Sequence, residues 1–144
     1  MKKIRSFCFA LFATILSLFV LVSCDSCDEG RAKSTVVEKS DTLVVIKTTD
    51  VQGRYSLEDC LDDLEDAGTL SVEEENGMIV SLNGVANQGS SYWFIYTSDE
   101  QSVNKTWGSC EYAGKTYYSA ALGVEELKEK EGALYIFVYE TYQG

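Results

Sequence analysis

Residues 56–68 read SLEDCLDDLEDAG, and this stretch predicts an amphipathic helix. Ser56 can cap the first turn, Asp59 stands three residues later as in a capping box, and Gly68 can end the helix. The acidic residues fall mostly on one face, which we interpret as a solvated surface. Apolar residues recur at the spacing that forms a single helical stripe, namely Leu57, Cys60, Leu61 and Leu64.

Runs of β-branched and aromatic residues on both sides of this helix predict strands. DTLVVIKTT predicts a strand over residues 42–49, and Asn76-Gly77 is typical of a tight turn between two strands. SSYWFIYTS is apolar on both faces, which indicates an interior strand, and residues 133–141 predict a closing strand. We therefore expect an α+β fold, a mixed sheet with one packed helix. The expected core residues are Leu57, Leu61, Leu64, Ile79, Trp93, Ile95, Ile136 and Val138.

The N-terminal residues have the pattern of a secretory signal. A basic start precedes residues 7–22, which carry no charge and fall short of the roughly 20 residues of a membrane-spanning helix. The sequence LVSC at 21–24 resembles the lipobox of bacterial lipoproteins. That resemblance implies cleavage before Cys24, diacylglycerol on its thiol and a fatty acyl chain such as palmitate on its amine. Two alternatives stay open: an uncleaved membrane anchor and an ordinary signal peptide cleaved nearby.

These features divide the chain into a signal peptide (1–23), a flexible tether (24–40) of small and charged residues, and one domain (41–144). We expect an extracytoplasmic protein held at the cell membrane by the lipid on Cys24. Removing residues 1–23 takes away three basic residues and no acids, so the formal net charge falls from −11 to −14. Such a charge argues against nucleic acid as a partner, because the negatively charged phosphates bind basic protein surfaces.

Histidine is missing from the chain, which weakens most enzyme hypotheses. Without it, a Ser–His or Cys–His nucleophile pair cannot be built, and the commonest general base and metal ligand are lost. We expect no enzymatic activity, no cofactor and no metal site, although a hydrolase built on carboxylates stays formally open. For the cysteines, a Cys60–Cys110 disulfide and a buried core thiol at Cys60 are both open alternatives.

Aromatic residues are dense in the polar segment 99–118, where no periodic pattern buries them. Tyrosine and tryptophan offer a large, rigid contact area with a polar edge, which suits binding. We therefore expect this segment and the start of the SSYWFIYTS strand to form one contact surface for a ligand or partner. Its expected residues are Trp107, Tyr112, Tyr117, Tyr118, Tyr92 and Trp93.

The order of these stretches resembles the transcobalamin-like C-terminal domain family over residues 42–141. The resemblance is carried by YSLEDCLDDL, NGMIVSLNGVAN, SSYWFIYTSDEQSV and ELKEKEGALYIFVYE. Two features depart from the family pattern. Ser98-Asp99-Glu100 stands where members commonly have an Asn-Gly turn, and residues 104–120 look like an insertion. The positions that match are Ser56-Leu57, Leu82 with Gly84, Tyr92-Trp93 and residues 132–139.

The resemblance implies a ubiquitin-like β-grasp fold and, by analogy, a corrinoid such as cobalamin as ligand. In the vitamin carriers this domain covers one face of the corrinoid while a separate helical domain supplies the rest, and we expect no such helical domain in this chain. The expected function is a lipid-anchored binding module for a corrinoid-like small molecule or another surface protein. The alternative is a structural or adhesion module of the cell envelope.

Overall fold

The computed structural model describes residues 32–143, so the predicted signal peptide, Cys24 and the first part of the tether lie outside the described residues. No helix within 32–143 has the length and hydropathy needed to cross a membrane. The elements of this part of the chain, in order, are β1 (Lys33–Lys39), β2 (Leu43–Asp50), α1 (Leu57–Asp66), β3 (Val72–Glu75), β4 (Met78–Leu82), β5 (Val85–Ala86), β6 (Ser91–Thr97), β7 (Ser109–Tyr112), β8 (Lys115–Ser119) and β9 (Leu134–Thr141).

The strands form a six-stranded sheet in the order β1-β2-β9-β6-β8-β7 and a smaller sheet in the order β3-β4-β5. Every strand pairing in residues 32–143 is antiparallel. The α+β class is therefore confirmed, whereas the expected mixture of parallel and antiparallel pairs is wrong. A parallel pair needs a crossover that returns to the same sheet, but the helix leads from β2 into the second sheet instead.

Helix α1 begins and ends where its sequence predicts. Ser56 is the N-cap, and its side chain and that of Asp59 each bond the other residue's backbone N–H. At the other end Gly68 adopts a φ of 70°, and the N–H of Thr69 donates to the carbonyl of Leu64. The buried residues of the helix are the predicted stripe, Leu57, Cys60, Leu61 and Leu64.

Two apolar clusters lie on opposite faces of the six-stranded sheet. The larger lies between this sheet, α1 and the smaller sheet, and the other face carries a smaller cluster around Tyr96 and Ile136. Of the predicted core residues, Ile95 and Val138 are half-buried. The others are buried, as predicted: Leu57, Leu61, Leu64, Ile79, Trp93 and Ile136.

Strand β1 is formed by residues that we expected to belong to the flexible tether. Val36 pairs with Ile46 of β2, and the Ser34 hydroxyl donates to Glu129 Oε1 at 2.8 Å. An edge strand that covers one side of a core needs few apolar residues, so the charged composition of 24–40 concealed it. The expected tether is therefore ordered from Lys33 onward.

Candidate functional site: an aromatic cleft at the edge of strand β6

Strand β6 is fully paired along one edge and only partly paired along the other. It pairs with β9 from Ser91 to Thr97, as predicted for an interior strand, but with β8 only at Tyr96 and Thr97. Along the rest of that edge, Trp93 N–H donates to the Asn87 side-chain oxygen at 3.0 Å, and Ile95 O accepts from Ala120 N–H at 2.8 Å. A side chain and a loop thus replace a neighbouring strand, which leaves room for a cleft.

This aromatic cleft has a volume of about 480 Å³ and lies between the start of β4, strand β6 and residues 119–123. Six large apolar or aromatic side chains are exposed in residues 32–143, and all but Val37 line the cleft. A folded chain normally scatters such residues, so their concentration in one concavity indicates a binding surface. The five are Met78, Tyr92, Trp107, Leu122 and Tyr142.

Among residues 32–143, no charged side chain lines the cleft, although the chain has a formal net charge of −11. Its polar side chains other than tyrosine and tryptophan belong to Asn87 and Ser119. Asn87 is committed to the fold, because its side-chain nitrogen also donates to Ile79 O at 2.9 Å. The cleft therefore offers aromatic faces and apolar surface, which suits binding of an uncharged, ring-bearing group.

Three of the six predicted site residues meet in this cleft. Trp107 is 63% exposed and Tyr92 is 41% exposed, with its hydroxyl donating to Gly89 O. Trp93 is mostly buried, and its indole N–H donates to Val85 O at 2.7 Å. Tyr92 and Trp93 face opposite sides of the strand, yet both border the cleft because it lies at the strand's open edge.

The other three predicted residues lie outside the cleft lining. Tyr117 is buried on the opposite face of the sheet, where its ring lies 6.4 Å from that of Tyr112. Tyr118 lies beneath the ammonium group of Lys105, 5.0 Å from its ring centroid. Because side chains alternate between the two faces of a strand, Tyr118 faces the side of β8 opposite to Tyr117, whereas Tyr112 and Tyr117 pack in the smaller apolar cluster. The expected single contact surface is therefore divided.

Sequence reasoning missed Met78, Leu122 and Tyr142 as lining residues. Met78 directly follows the Asn76-Gly77 turn, and its 64% exposure is unusual for methionine in a strand. Leu122 lies in a loop and Tyr142 just after β9. The sequence could have indicated these residues, because each is apolar or aromatic at a position where the predicted fold has no element packed over it.

Both described cysteines are free thiols, so the Cys60–Cys110 disulfide alternative is not formed. Cys60 packs in the larger apolar cluster and Cys110 in the smaller one, which places them on opposite faces of the sheet. Burial raises the pKa of Cys60, and burial followed by repulsion from Glu140 raises the pKa of Cys110 to about 11. Neither thiol is therefore an activated nucleophile at neutral pH.

Three carboxylates lie together beside the cleft and form the carboxylate cluster: Glu58, Glu74 and Glu125. Each offers an oxygen within 4.8 Å of the others, and oxygen ligands suit hard divalent cations. Acidic side chains often cluster without an ion, so this geometry alone assigns no metal. Glu125 adjoins the cleft, because a Cβ placed on the lining residue Gly77 would lie 3.6 Å from its carboxyl carbon.

Comparison of the chain with protein-family models, with curated proteins and with solved structures finds no match.

Proposed function

We propose that this chain is an extracytoplasmic binding module, anchored by lipid at Cys24, whose ligand site is the aromatic cleft. The observation that carries the proposal is the concentration of exposed apolar and aromatic side chains in that cleft. Its volume of about 480 Å³ falls within the range of small-molecule sites, about 300–1,000 Å³. An uncharged lining in an acidic protein favours a ligand that presents a flat, apolar surface.

A corrinoid-like molecule is the ligand that the family resemblance favours. The resemblance implies a β-grasp fold, which we retain as a proposal, and a domain that covers one face of the ligand. The aromatic cleft suits such a role, since Trp107 and Tyr142 are each 63% exposed and line an open cleft rather than an enclosed cavity. One face alone leaves much of the ligand in water, so we expect weak binding by the isolated chain.

A protein partner is the second candidate, favoured by the same exposed rim. Tryptophan and tyrosine are enriched among the residues that dominate the binding energy of protein interfaces. Trp107, Tyr142 and Met78 are each more than 60% exposed and line the same cleft. Under this proposal the chain is a protein-interaction, adhesion or structural module of the cell envelope. Recognition would use side chains rather than strand addition, because Asn87 and Ala120 already bond part of the open β6 edge.

The corrinoid proposal is tested by calorimetric titration of residues 25–144 with cobalamin and with cobinamide. We expect dissociation constants of about 10 μM to 1 mM, and we expect Trp107→Ala to weaken binding about tenfold through the loss of about 1.4 kcal/mol of contact. Tyr118→Ala is the control, since it removes an aromatic ring outside the cleft lining. If no heat develops at millimolar ligand, the corrinoid is excluded and the protein-interaction module remains. If Trp107→Ala binds the corrinoid as the unaltered chain does, the aromatic cleft is excluded as the corrinoid site.

The anchor is tested by Cys24→Ala in the full-length chain. Without the thiol no diacylglycerol can be attached, so we expect unprocessed precursor or release of the protein from the membrane fraction. Fractionation and mass spectrometry of the N-terminus provide the measurement, and Cys27→Ala is the control because it lies three residues further on. Full membrane retention of Cys24→Ala would instead support an uncleaved anchor.

A further inference from the structure

The β3–β4 hairpin forms one wall of the aromatic cleft and docks on residues 121–127. Gly77 and Met78 line the cleft from the hairpin side, and residues 121–123 line it from the other. Val124 N–H donates to Gly77 O at 3.0 Å, which we call the hairpin contact. The approach is close, because a Cβ on Gly123 would lie only 2.5 Å from Gly77 O. The width of the cleft thus depends on this contact.

Helix α1 joins the same junction from the other side. Leu57 N–H donates to Leu127 O at 2.8 Å, and Glu58 N–H donates to Val124 O at 3.1 Å. The backbone of Val124 is therefore bonded to the hairpin through its N–H and to the helix through its carbonyl. Hairpin, helix and residues 121–127 can separate only if one of these bonds breaks.

Each of these three elements contributes one member of the carboxylate cluster. Glu58 comes from α1, Glu74 from β3 and Glu125 from residues 121–127, with oxygens within 4.8 Å of one another. The groups that act on Glu74 are these two glutamates and Asp62 of α1, all of the same sign. The ion pairs of the described chain join Lys105 to Glu100 and Lys130 to Asp99, so neither neutralises the cluster.

We propose that the carboxylate cluster makes the hairpin contact depend on pH. When two of the carboxylates share a proton, the cluster holds the β3–β4 hairpin against residues 121–127. When all three carboxylates are charged, the cluster loosens that contact. When Glu74 is protonated, its hydroxyl donates to Glu58 and joins the hairpin to the helix. When it is deprotonated, three negative charges repel one another across the junction. Any effect on ligand binding rests on the proposed function of the cleft, but the contact itself does not.

The titration of this cluster falls near neutral pH. Burial, then hydrogen bonding with Glu58, then repulsion from Glu58, Glu125 and Asp62 raise the pKa of Glu74 from 4.5 to about 7. When folding raises the pKa of a carboxyl group, the group favours the folded state most at a pH below its pKa in the unfolded chain. That contribution is lost as the pH rises through its pKa in the folded chain. The hairpin contact should therefore be more stable near pH 5 than near pH 8.

The test is the protection factor of the Val124 amide, measured by hydrogen exchange of residues 25–144 and corrected for the intrinsic effect of pH. In the unaltered chain we expect the protection factor of the Val124 amide to fall about tenfold between pH 5 and 8. The full pKa shift of Glu74 would give a larger fall, but water screens half-exposed charges. Glu74→Gln keeps an N–H donor for Glu58 and cannot titrate, so its profile should be flat. Glu73→Gln is the matched control, since it removes a charge from the same strand at an exposed position.

A second variant, Glu125→Gln, removes one charge of the cluster from residues 121–127 and should make the fall in protection smaller, since Glu58 and Asp62 still act on Glu74. A Val124 protection factor that does not fall in the unaltered chain, or one that falls equally in Glu74→Gln, overturns the proposal. A flat profile in Glu73→Gln also overturns it, because the effect would then reflect overall charge. If the contact depends on pH while no ligand binds the cleft, this proposal stands and the proposed function fails.

Discussion

Leu57→Ala is expected to lower the free energy of unfolding by about 2 to 5 kcal/mol. Leu57 is fully buried at the first turn of α1, in the cluster that joins the helix to both sheets. Truncation removes the transfer energy of the lost methyl groups and leaves a cavity that the surrounding strands can only partly fill. Urea unfolding of residues 25–144, followed by circular dichroism, gives the measurement.

Leu122→Ala is the matched control, because it makes the same chemical change at a side chain that is 44% exposed in the aromatic cleft. We expect it to cost less than about 1 kcal/mol, since little buried area is lost. Equal losses in the two variants would contradict the packing of the helix stripe and, with it, the arrangement of the two sheets around α1.

Gly123→Ala is expected to displace the β3–β4 hairpin and to lower the free energy of unfolding by about 1 to 3 kcal/mol. The new Cβ would lie 2.5 Å from the backbone oxygen of Gly77, a separation that requires one of the two segments to move. Since both segments line the aromatic cleft, the environment of Trp107 and Trp93 should change with them. These are the chain's only tryptophans, so their fluorescence emission reports the displacement directly.

Gly53→Ala distinguishes this steric effect from the general cost of replacing glycine. Gly53 has a φ of 85° and open space around the position of a Cβ, so alanine there costs about 1 to 2 kcal/mol of backbone strain without any collision. We expect it to lower stability and to leave the tryptophan emission unchanged. Emission that is unchanged in Gly123→Ala as well would show that the hairpin does not close against residues 121–127.

The aromatic cleft and the carboxylate cluster are neighbours that share the β3–β4 hairpin. The cleft supplies uncharged contact area, and the cluster lies at the junction that positions one cleft wall. The proposed extracytoplasmic location would expose the chain to the pH of its surroundings, and the proposed change of the hairpin contact near pH 7 would then link the shape of the aromatic cleft to that pH. The two proposals rest on different residues and can fail separately.

Local sequence determined the elements that need only neighbouring residues. The capping pair Ser56 and Asp59, the apolar stripe and Gly68 define α1, and Asn76-Gly77 forms the β3–β4 turn with φ angles of 53° and 74°. The aromatic alternation of residues 91–97 predicted an interior strand, which pairs on both sides. In each case the decisive interactions lie within a few residues along the chain, where the pattern of side chains is sufficient.

Tertiary structure alone decided the direction of the strands, the place of β1 and the outline of the cleft. Tyr117 and Trp107 look alike in a polar segment, but strand alternation in β8 buries Tyr117 on the far face of the sheet, whereas Trp107 lies in the bend before β7 and lines the cleft. Glu58, Glu74 and Glu125 are distant in sequence and meet only because hairpin, helix and loop dock together. Burial and electrostatic crowding depend on distances across the fold, and no local pattern of residues contains those distances.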